Sequence, residues 1–256
     1  MAGIKGRKPS STGASSGWYA PDDAADGSLF YKDPTTGLFL PLTPGTSGHV
    51  LKSNGAGAAP SYQAESGVGG GGGGLTLLES HSASASASLD CTTRNAAGQS
   101  GATFQSDFDD YLIKCLSLVP ASNGASVLFR VSTDGGSTFV SAGGSYLWGG
   151  DFWVNNASAA QGSDSDTSIT LCFSVSSTAS VGGACGSFEI VNPLDSAAQM
   201  RIDAAFHCAS TTNGGKASVQ KYGGAYSANT AVNAFRVLMS TGNIASGTVR
   251  VYGLAK

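Results

Sequence analysis

Apolar and polar side chains alternate with a period of two residues through much of the second half of the chain. From Met200 to Cys208 every second side chain is apolar, while Arg201, Asp203 and His207 lie between them. Such alternation is typical of a β-strand that buries one face and exposes the other. We therefore predict a strand here, with its apolar positions in a core.

The same alternation recurs in other segments, separated by turn signals. It appears in residues 127–131, 169–175, 235–239 and 249–251. Asp134-Gly135-Gly136 and Asn213-Gly214-Gly215 are turn sequences between such segments. We see no helical stripe, and about eight to ten strands fit a sandwich or jelly roll. The pattern predicts an all-β chain with a C-terminal antiparallel, jelly-roll-like β-sandwich.

Composition along the chain predicts four sections. Residues 1–17 are polar and basic, which favours a flexible arm. Residues 18–66 hold short apolar clusters broken by turns, which predicts small hairpins that form an attachment region. Residues 67–74 contain six consecutive glycines and read as a flexible linker, or hinge. Residues 75–256 form the β-sandwich domain.

Charge and hydropathy exclude several classes of protein. Charged residues make up 12% of the chain, about half the usual share, and the net charge is −3. A broad basic face for nucleic acid is therefore not expected. No apolar run is long enough to span a bilayer, and no apolar segment follows the basic start, so we expect neither membrane insertion nor a signal peptide. Low charge and 37 glycines suit a surface buried against copies of the same chain.

The five cysteines suggest neither a disulfide framework nor a zinc site. Their number is odd, and no two have C-x-x-C spacing. Cys115, Cys172 and Cys208 lie in apolar runs, where a reduced thiol behaves as a small buried hydrophobe. We predict no cofactor and no metal site.

Residues 45–62 carry a family resemblance. Their sequence, GTSGHVLKSNGAGAAPSY, matches the pattern G-T-x-G-x-V-L-x-S-N-G-x-G-x-x-P-x-aromatic at every fixed position. This segment resembles a recurrent hairpin module of bacteriophage tail fibres. Val50 and Leu51 would supply the first strand, Asn54-Gly55 a turn, and Tyr62 the return strand. A unit this small needs partner chains, which predicts a homotrimer.

Further segments resemble phage structural proteins. A second hairpin is expected where Asp33-Pro34-Thr35-Thr36 separates two apolar clusters. In the C-terminal domain the similar segments are residues 108–111, 119–121, 128–136 and 246–254.

The resemblance implies a structural virion protein, made in the cytoplasm of a host bacterium. Its N-terminal region would dock on other virion proteins, and its end domain would attach to a glycan or protein of the host surface. Two alternatives remain: a capsid head fibre or decoration protein, and, from a different class, a capsule-degrading glycan hydrolase.

Several acidic groups are candidates for catalysis or metal binding. Residues 132–139, STDGGSTF, resemble the Asp-box of sialidase-like propellers, in which the aspartate ties a hairpin turn, so a structural turn is expected. Asp107, Asp109 and Asp110 form one cluster and Asp164 and Asp166 another. Each is either a solvated segment or a calcium site. A glycosidase needs two opposed carboxylates, and the chain has only Glu65, Glu79 and Glu189 besides its aspartates. We predict a protein that is not an enzyme.

Aromatic residues cluster between positions 145 and 153. Tyr146, Trp148 and Trp153 lie in the sequence SYLWGGDFW, where glycines interrupt the apolar run. Exposed tryptophan and tyrosine rings stack on the apolar faces of sugars, so these three residues are the candidate receptor-binding set. The alternative is that the rings pack in the core of the sandwich.

Overall fold

The computed structural model describes residues 27–64, 74–154, 157–211 and 215–255. The chain divides into two compact units, residues 1–70 and 71–256. The arm predicted at 1–17 lies outside the described residues, as do all but the last glycine of the linker predicted at 67–74.

In its described residues, 27–64, the first unit contains two short antiparallel strand pairs. Strands β1 (Leu29–Lys32) and β2 (Phe39–Leu42) form one pair, and β3 (His49–Lys52) and β4 (Ser61–Ala64) form the other. The first pair is closed by Asp33, whose carboxylate accepts hydrogen bonds from the backbone N–H groups of Thr35 and Thr36. These local hydrogen bonds, rather than a buried core, stabilise the turn.

In the second pair, side chains hold the long loop between the strands. The Asn54 amide donates to the carbonyl of Ala59 and to the Ser61 hydroxyl. Gly55 has a φ of 100°, a conformation that favours glycine. A Cβ at Gly45 would lie 2.5 Å from the Cβ of Tyr62, so glycine is needed for the close approach of these two segments.

The described part of the second unit has twelve strands in one antiparallel sheet. They are β5 (Leu75–Ser86), β6 (Ser88–Cys91), β7 (Phe108–Pro120), β8 (Ala125–Ser132), β9 (Tyr146–Val154), β10 (Ala157–Asp166), β11 (Ile169–Val175), β12 (Ala184–Val191), β13 (Arg201–Ser210), β14 (Lys216–Tyr226), β15 (Ala234–Met239) and β16 (Ile244–Ala255). The described residues contain very little helix, and a 3₁₀ turn lies at Ala179–Val181. The predicted all-β fold is confirmed.

The sheet is nearly closed and has two parts. One part has the strand order β5-β16-β7-β12-β13-β14-β9-β10, and the other has the order β11-β8-β15-β6. The β11–β13 junction is paired in register at Val175 and Ser210 alone. At the far end the chain itself passes from β5 into β6. The two parts can therefore face each other with apolar side chains between them.

Aromatic rings from both parts meet in this core. The Phe188 ring of β12 lies 5.4 Å from the Phe129 ring of β8 and 6.0 Å from the Phe235 ring of β15, both in edge-to-face geometry. Phe129 and Phe235 are themselves stacked at 5.6 Å. Rings in these arrangements contribute about 0.5–1.5 kcal/mol per pair beyond the area they bury.

The described part of the chain contains no helix that is both long enough and apolar enough to cross a membrane.

Candidate functional site

Strand β9 carries the three predicted receptor-binding residues, but it directs them to different faces. Tyr146 is buried and Trp148 half-buried, whereas Trp153 is exposed. Because side chains alternate along a strand, even-numbered positions here face the core and odd-numbered positions face outward.

Tyr146 is part of the core. Its side chain is fully buried, its hydroxyl donates to the carbonyl of Val140 at 2.9 Å, and it accepts from the N–H of Val131 at 2.9 Å. Burial raises the pKa of Tyr146 to about 12. The structure thus corrects this member of the predicted set, because a ring enclosed in the core is closed to a receptor.

Trp148 joins the core to the rim of a groove. Its ring packs edge-to-face on Tyr222, with centroids 5.6 Å apart, and its indole N–H donates to the Asp166 carboxylate at 2.9 Å. The neighbouring groove has a volume of about 570 Å³, and its lining includes Leu147, Trp148, Asp164, Gln199 and Arg201. This combination of an indole, carboxylate, amide and guanidinium can bind a polar ligand that also has apolar patches.

Trp153 lies on the outer face of the sheet, with 42% of its surface exposed. Its register partner on β14 is Val219, which is 52% exposed, and the partner of Val219 on β13 is His207. An aromatic and an aliphatic side chain therefore lie side by side in solvent. Both can contact an apolar surface without any rearrangement of the core.

Three glycines form a row across the same outer face. Gly149 of β9 pairs with Gly162 of β10 on one side and with Gly223 of β14 on the other. We call Gly162, Gly149 and Gly223 the glycine row. It leaves a strip of backbone bare across three adjacent strands.

Packing does not explain two of these glycines. A Cβ at Gly149 or Gly223 would come no closer than 3.8 Å to any neighbouring atom, which is ordinary contact. Neither residue has a positive φ. Glycine within a strand costs stability and often marks a place where a ligand or another backbone approaches closely.

Charged and polar side chains flank the glycine row. On one side, Asp151 of β9 is in register with Lys221 of β14. On the other side, Leu147 is in register with Ala225, whose partner on β13 is Arg201. We call the surface formed by Trp153, Val219, the glycine row and these flanking residues the outer face. It combines a flat strip with an apolar end and with hydrogen-bonding groups on both sides.

The sequence indicated only part of this surface. Arg201 was expected on the polar face of its strand, and Trp153 was predicted as a contact residue. Lys221, Gly149 and Gly223 were missed, because their juxtaposition depends on the pairing of β9 with β14, which are about 70 residues apart. The repeated Gly-Gly pairs at 149–150 and 223–224 were the signal available.

Two of the other acidic side chains singled out in the sequence, Asp107 and Asp166, have local hydrogen-bond partners. Asp107 accepts two hydrogen bonds from the Arg94 guanidinium, at 2.6 and 2.8 Å. Asp166 accepts from Trp148 and from the backbone of Thr167. These two carboxylates thus hold neighbouring segments of the fold together through hydrogen bonds.

The predicted Asp134 turn is present. The Asp134 carboxylate accepts from the hydroxyl and backbone N–H of Thr138 and from the Ser132 hydroxyl. These hydrogen bonds, those from Thr138 first, lower the pKa of Asp134 to about 2. Gly135 and Gly136 both have positive φ, as the turn requires.

Comparison with family models, with curated proteins and with solved structures found no match to this chain.

Proposed function

We propose that this chain is a structural protein of a bacteriophage particle, a tail fibre or spike, whose outer face binds carbohydrate on the host surface. The observation that carries the binding proposal is the glycine row beside exposed Trp153. The hairpin sequence at 45–62, which resembles a phage-fibre module, supports the placement on a virion.

A sugar ring fits the chemistry of this surface. The apolar face of a pyranose stacks on a flat aromatic ring, and Trp153 offers such a ring in solvent. The glycine row lets the ligand approach the sheet closely, because no side chains stand between ligand and backbone. Asp151, Lys221 and Arg201 can hydrogen-bond the hydroxyl or carboxylate groups of the sugar at its edges.

The proposed role is binding without cleavage. A binder needs a flat ring and peripheral hydrogen bonds, and the outer face supplies both. Hydrolysis of a glycosidic bond needs two carboxyl groups about 5–9.5 Å apart on either side of the bond. The pairing of Asp151 with Lys221 instead places a cation next to the acid on this face.

We further propose that the second unit is a jelly roll with two inserted hairpins. Strand orders β5-β16-β7-β12 and β6-β15-β8-β11 give two facing four-stranded sheets, as in an eight-stranded jelly roll. The β9–β10 and β13–β14 hairpins extend the first of these sheets. Because the outer face lies mainly on these insertions, ligand contacts can vary without disturbing the core.

The first unit supports assembly as a homotrimer. None of residues 27–63 is buried, although the apolar side chains Leu29, Phe30, Leu38 and Leu51 all lie there. Isolated two-stranded hairpins are marginal in water at best. Copies of the same chain can cover these side chains, and this region would also dock on other virion proteins.

Binding to a panel of bacterial surface polysaccharides tests the proposed site. The full chain should bind at least one of them. Trp153→Ala should weaken that binding about thirtyfold or more, the loss typical of an aromatic anchor. Gly149→Val should weaken it similarly, because the added side chain projects into the strip.

Tyr252→Ala, a change in an aromatic residue of β16, is the matched control and should bind as the wild type does. Melting curves of each variant separate a lost contact from a lost fold. Equal affinity in folded Trp153→Ala and Gly149→Val proteins would reject the outer face as the site. Release of reducing sugars by the wild type would reject the non-enzymatic role.

A further inference from the structure

Strand β5 contains a bulge that turns an acidic side chain into the core. Val251 of β16 is in register with Glu79, but the next residue, Tyr252, is in register with Leu77. Leu78 is therefore the extra residue, and both Leu78 and Glu79 are completely buried. Bulges re-aim side chains in this way, and they are frequent beside functional sites.

The bulge is held by a neighbouring loop. The carbonyl of Leu78 accepts from the backbone N–H groups of Asn95 and Ala96, at 3.1 and 3.0 Å. The Asn95 side chain also bonds both the N–H and the carbonyl of Ser80. These contacts fix the direction in which Glu79 points.

Two other potential metal ligands lie beside the Glu79 carboxylate. His81 is two residues along the strand, on the same face, and its Nε2 is 2.8 Å from Glu79 Oε2. Cys91 is the last residue of β6 and is fully buried. One ligand atom from each of the three side chains lies within 4.8 Å of the other two.

The carboxylate has a second layer of support. The buried Thr103 hydroxyl donates to Glu79 Oε1. The carbonyl of Thr103 accepts from the Arg94 guanidinium at 3.2 Å, and Arg94 is in turn paired with Asp107. Such outer contacts orient the carboxylate ligands of metal sites.

We propose that Glu79, His81 and Cys91 bind one Zn²⁺ ion. Thiolate, imidazole and carboxylate are the three side-chain ligand types that zinc uses in proteins. Bond lengths of about 2.0–2.3 Å bring zinc ligands to within about 4 Å of one another, so small side-chain rotations complete the site. A water molecule takes the fourth position, on the side where His81 is partly exposed.

An ion pair between Glu79 and a protonated His81 accounts for only two of the three groups. It leaves the thiol of Cys91 facing the buried carboxylate, an arrangement that gains nothing from the pairing. Cys91 and Glu79 are both completely buried, and their ligand atoms lie within 4.8 Å of each other. A divalent cation brings compensating positive charge, and the thiol proton passes to solvent when the metal binds.

The site has a position in the fold that suits a structural ion. Glu79 and His81 belong to β5, in one part of the sheet, and Cys91 belongs to β6, in the other. An ion held by all three would cross-link the two parts where the chain passes between them. The sequence does not show this grouping, because the separation of His81 from Cys91 matches no zinc motif.

Metal titration of the chelator-treated full chain tests the proposal. We expect one Zn²⁺ per chain and a rise in melting temperature on binding. Co²⁺ in place of Zn²⁺ should give the near-ultraviolet charge-transfer band of a cobalt–thiolate bond. His81→Gln and Cys91→Ala should each abolish stoichiometric binding, and Thr103→Val should weaken it about 10- to 100-fold.

The matched controls remove a histidine and a buried cysteine elsewhere. His207→Gln changes an exposed imidazole of β13, and Cys172→Ala removes a fully buried thiol of β11. Both should bind one Zn²⁺ as the wild type does. Circular dichroism without metal establishes that each variant folds. The proposal is overturned if the wild type binds no stoichiometric Zn²⁺, if folded His81→Gln still binds with wild-type affinity, or if Co²⁺ gives no thiolate band.

Discussion

Two buried tyrosines show that the effect of a hydroxyl group on stability depends on whether it has hydrogen-bond partners. The Tyr146 hydroxyl serves two backbone groups, one as donor and one as acceptor. The Tyr222 hydroxyl is also buried but has no hydrogen-bond partner among the described residues. Burial also raises the pKa of Tyr222. The same functional group therefore contributes to the fold at one position and costs free energy at the other.

Replacing each tyrosine by phenylalanine should therefore have opposite consequences. Tyr146→Phe leaves the Val131 N–H and the Val140 carbonyl without their partner, and we expect a loss of about 1–3 kcal/mol in the free energy of unfolding. Tyr222→Phe removes an unpaired hydroxyl and should be neutral or stabilising by about 1 kcal/mol. Urea unfolding of both variants measures these changes in the free energy of unfolding. Equal losses would contradict the difference in hydrogen bonding between the two hydroxyls.

The Asp134 turn makes a contribution to stability that depends on pH. Its folded pKa is lowered from 3.8 to about 2 by hydrogen bonds to the ionised carboxylate. A lowered pKa contributes stability that is present above the unfolded value and is lost as the pH falls through the folded value. We expect the difference in melting temperature between the wild type and Asp134→Ala to shrink between about pH 4 and pH 2. A difference that stays constant over that window would count against these bonds.

Among strands, β9 shows that adjacent glycines have different roles. A Cβ at Gly150 would lie 1.9 Å from the carbonyl oxygen of Lys221 on β14, whereas one at Gly149 would meet nothing closer than 3.8 Å. Gly150 is thus required for the pairing of β9 with β14. Gly149 is not required by packing and shapes only the outer face.

Alanine at the two positions separates these roles. Gly150→Ala should cost about 1–3 kcal/mol in the free energy of unfolding, since the strands must move apart. Gly149→Ala should change it by no more than about 0.5 kcal/mol. Thermal unfolding of the two variants tests this prediction. A larger loss of stability in Gly149→Ala than in Gly150→Ala would contradict it.

Strand by strand, the sequence predicted regular alternation well and irregular pairing poorly. In β13 the predicted apolar positions are buried and Arg201, Asp203 and His207 are exposed. In β11 the same rule fails, because Thr170, Cys172 and Ser174 are buried too. The pairing of β11 with β8 shifts register twice, and each shift moves the following side chains to the other face.

The sequence likewise predicted only part of the candidate site. The cluster of aromatic residues was visible in the sequence, but the face to which each ring points depends on the register of β9 against its neighbours. In the observed register the even-numbered positions face inward, so Tyr146 is buried and Trp153 is exposed. The bulge that turns Glu79 inward has no local sequence signal, since it exists only in the register of β5 against β16.

At the scale of the whole molecule, the two units differ in how they bury apolar surface. The second unit has a continuous core, while none of the described residues 27–63 is buried as a whole. Light scattering of the full chain should therefore give a particle of three times 25.5 kDa. Polar replacement of exposed hairpin residues, such as Phe30→Ser with Leu51→Ser, should reduce that mass. A monomer of the wild type at micromolar concentration would reject the trimer.

Electron cryomicroscopy of intact virus particles tests most directly whether this chain is the trimeric fibre or spike protein that we propose. If it is, the reconstruction should show threefold projections into which three copies of this chain fit. The hairpin unit would contact the particle, and the outer face of β9 and β14 would be open to the surroundings. Particles that lack the chain, or in which the outer face is covered by other virion proteins, would contradict it.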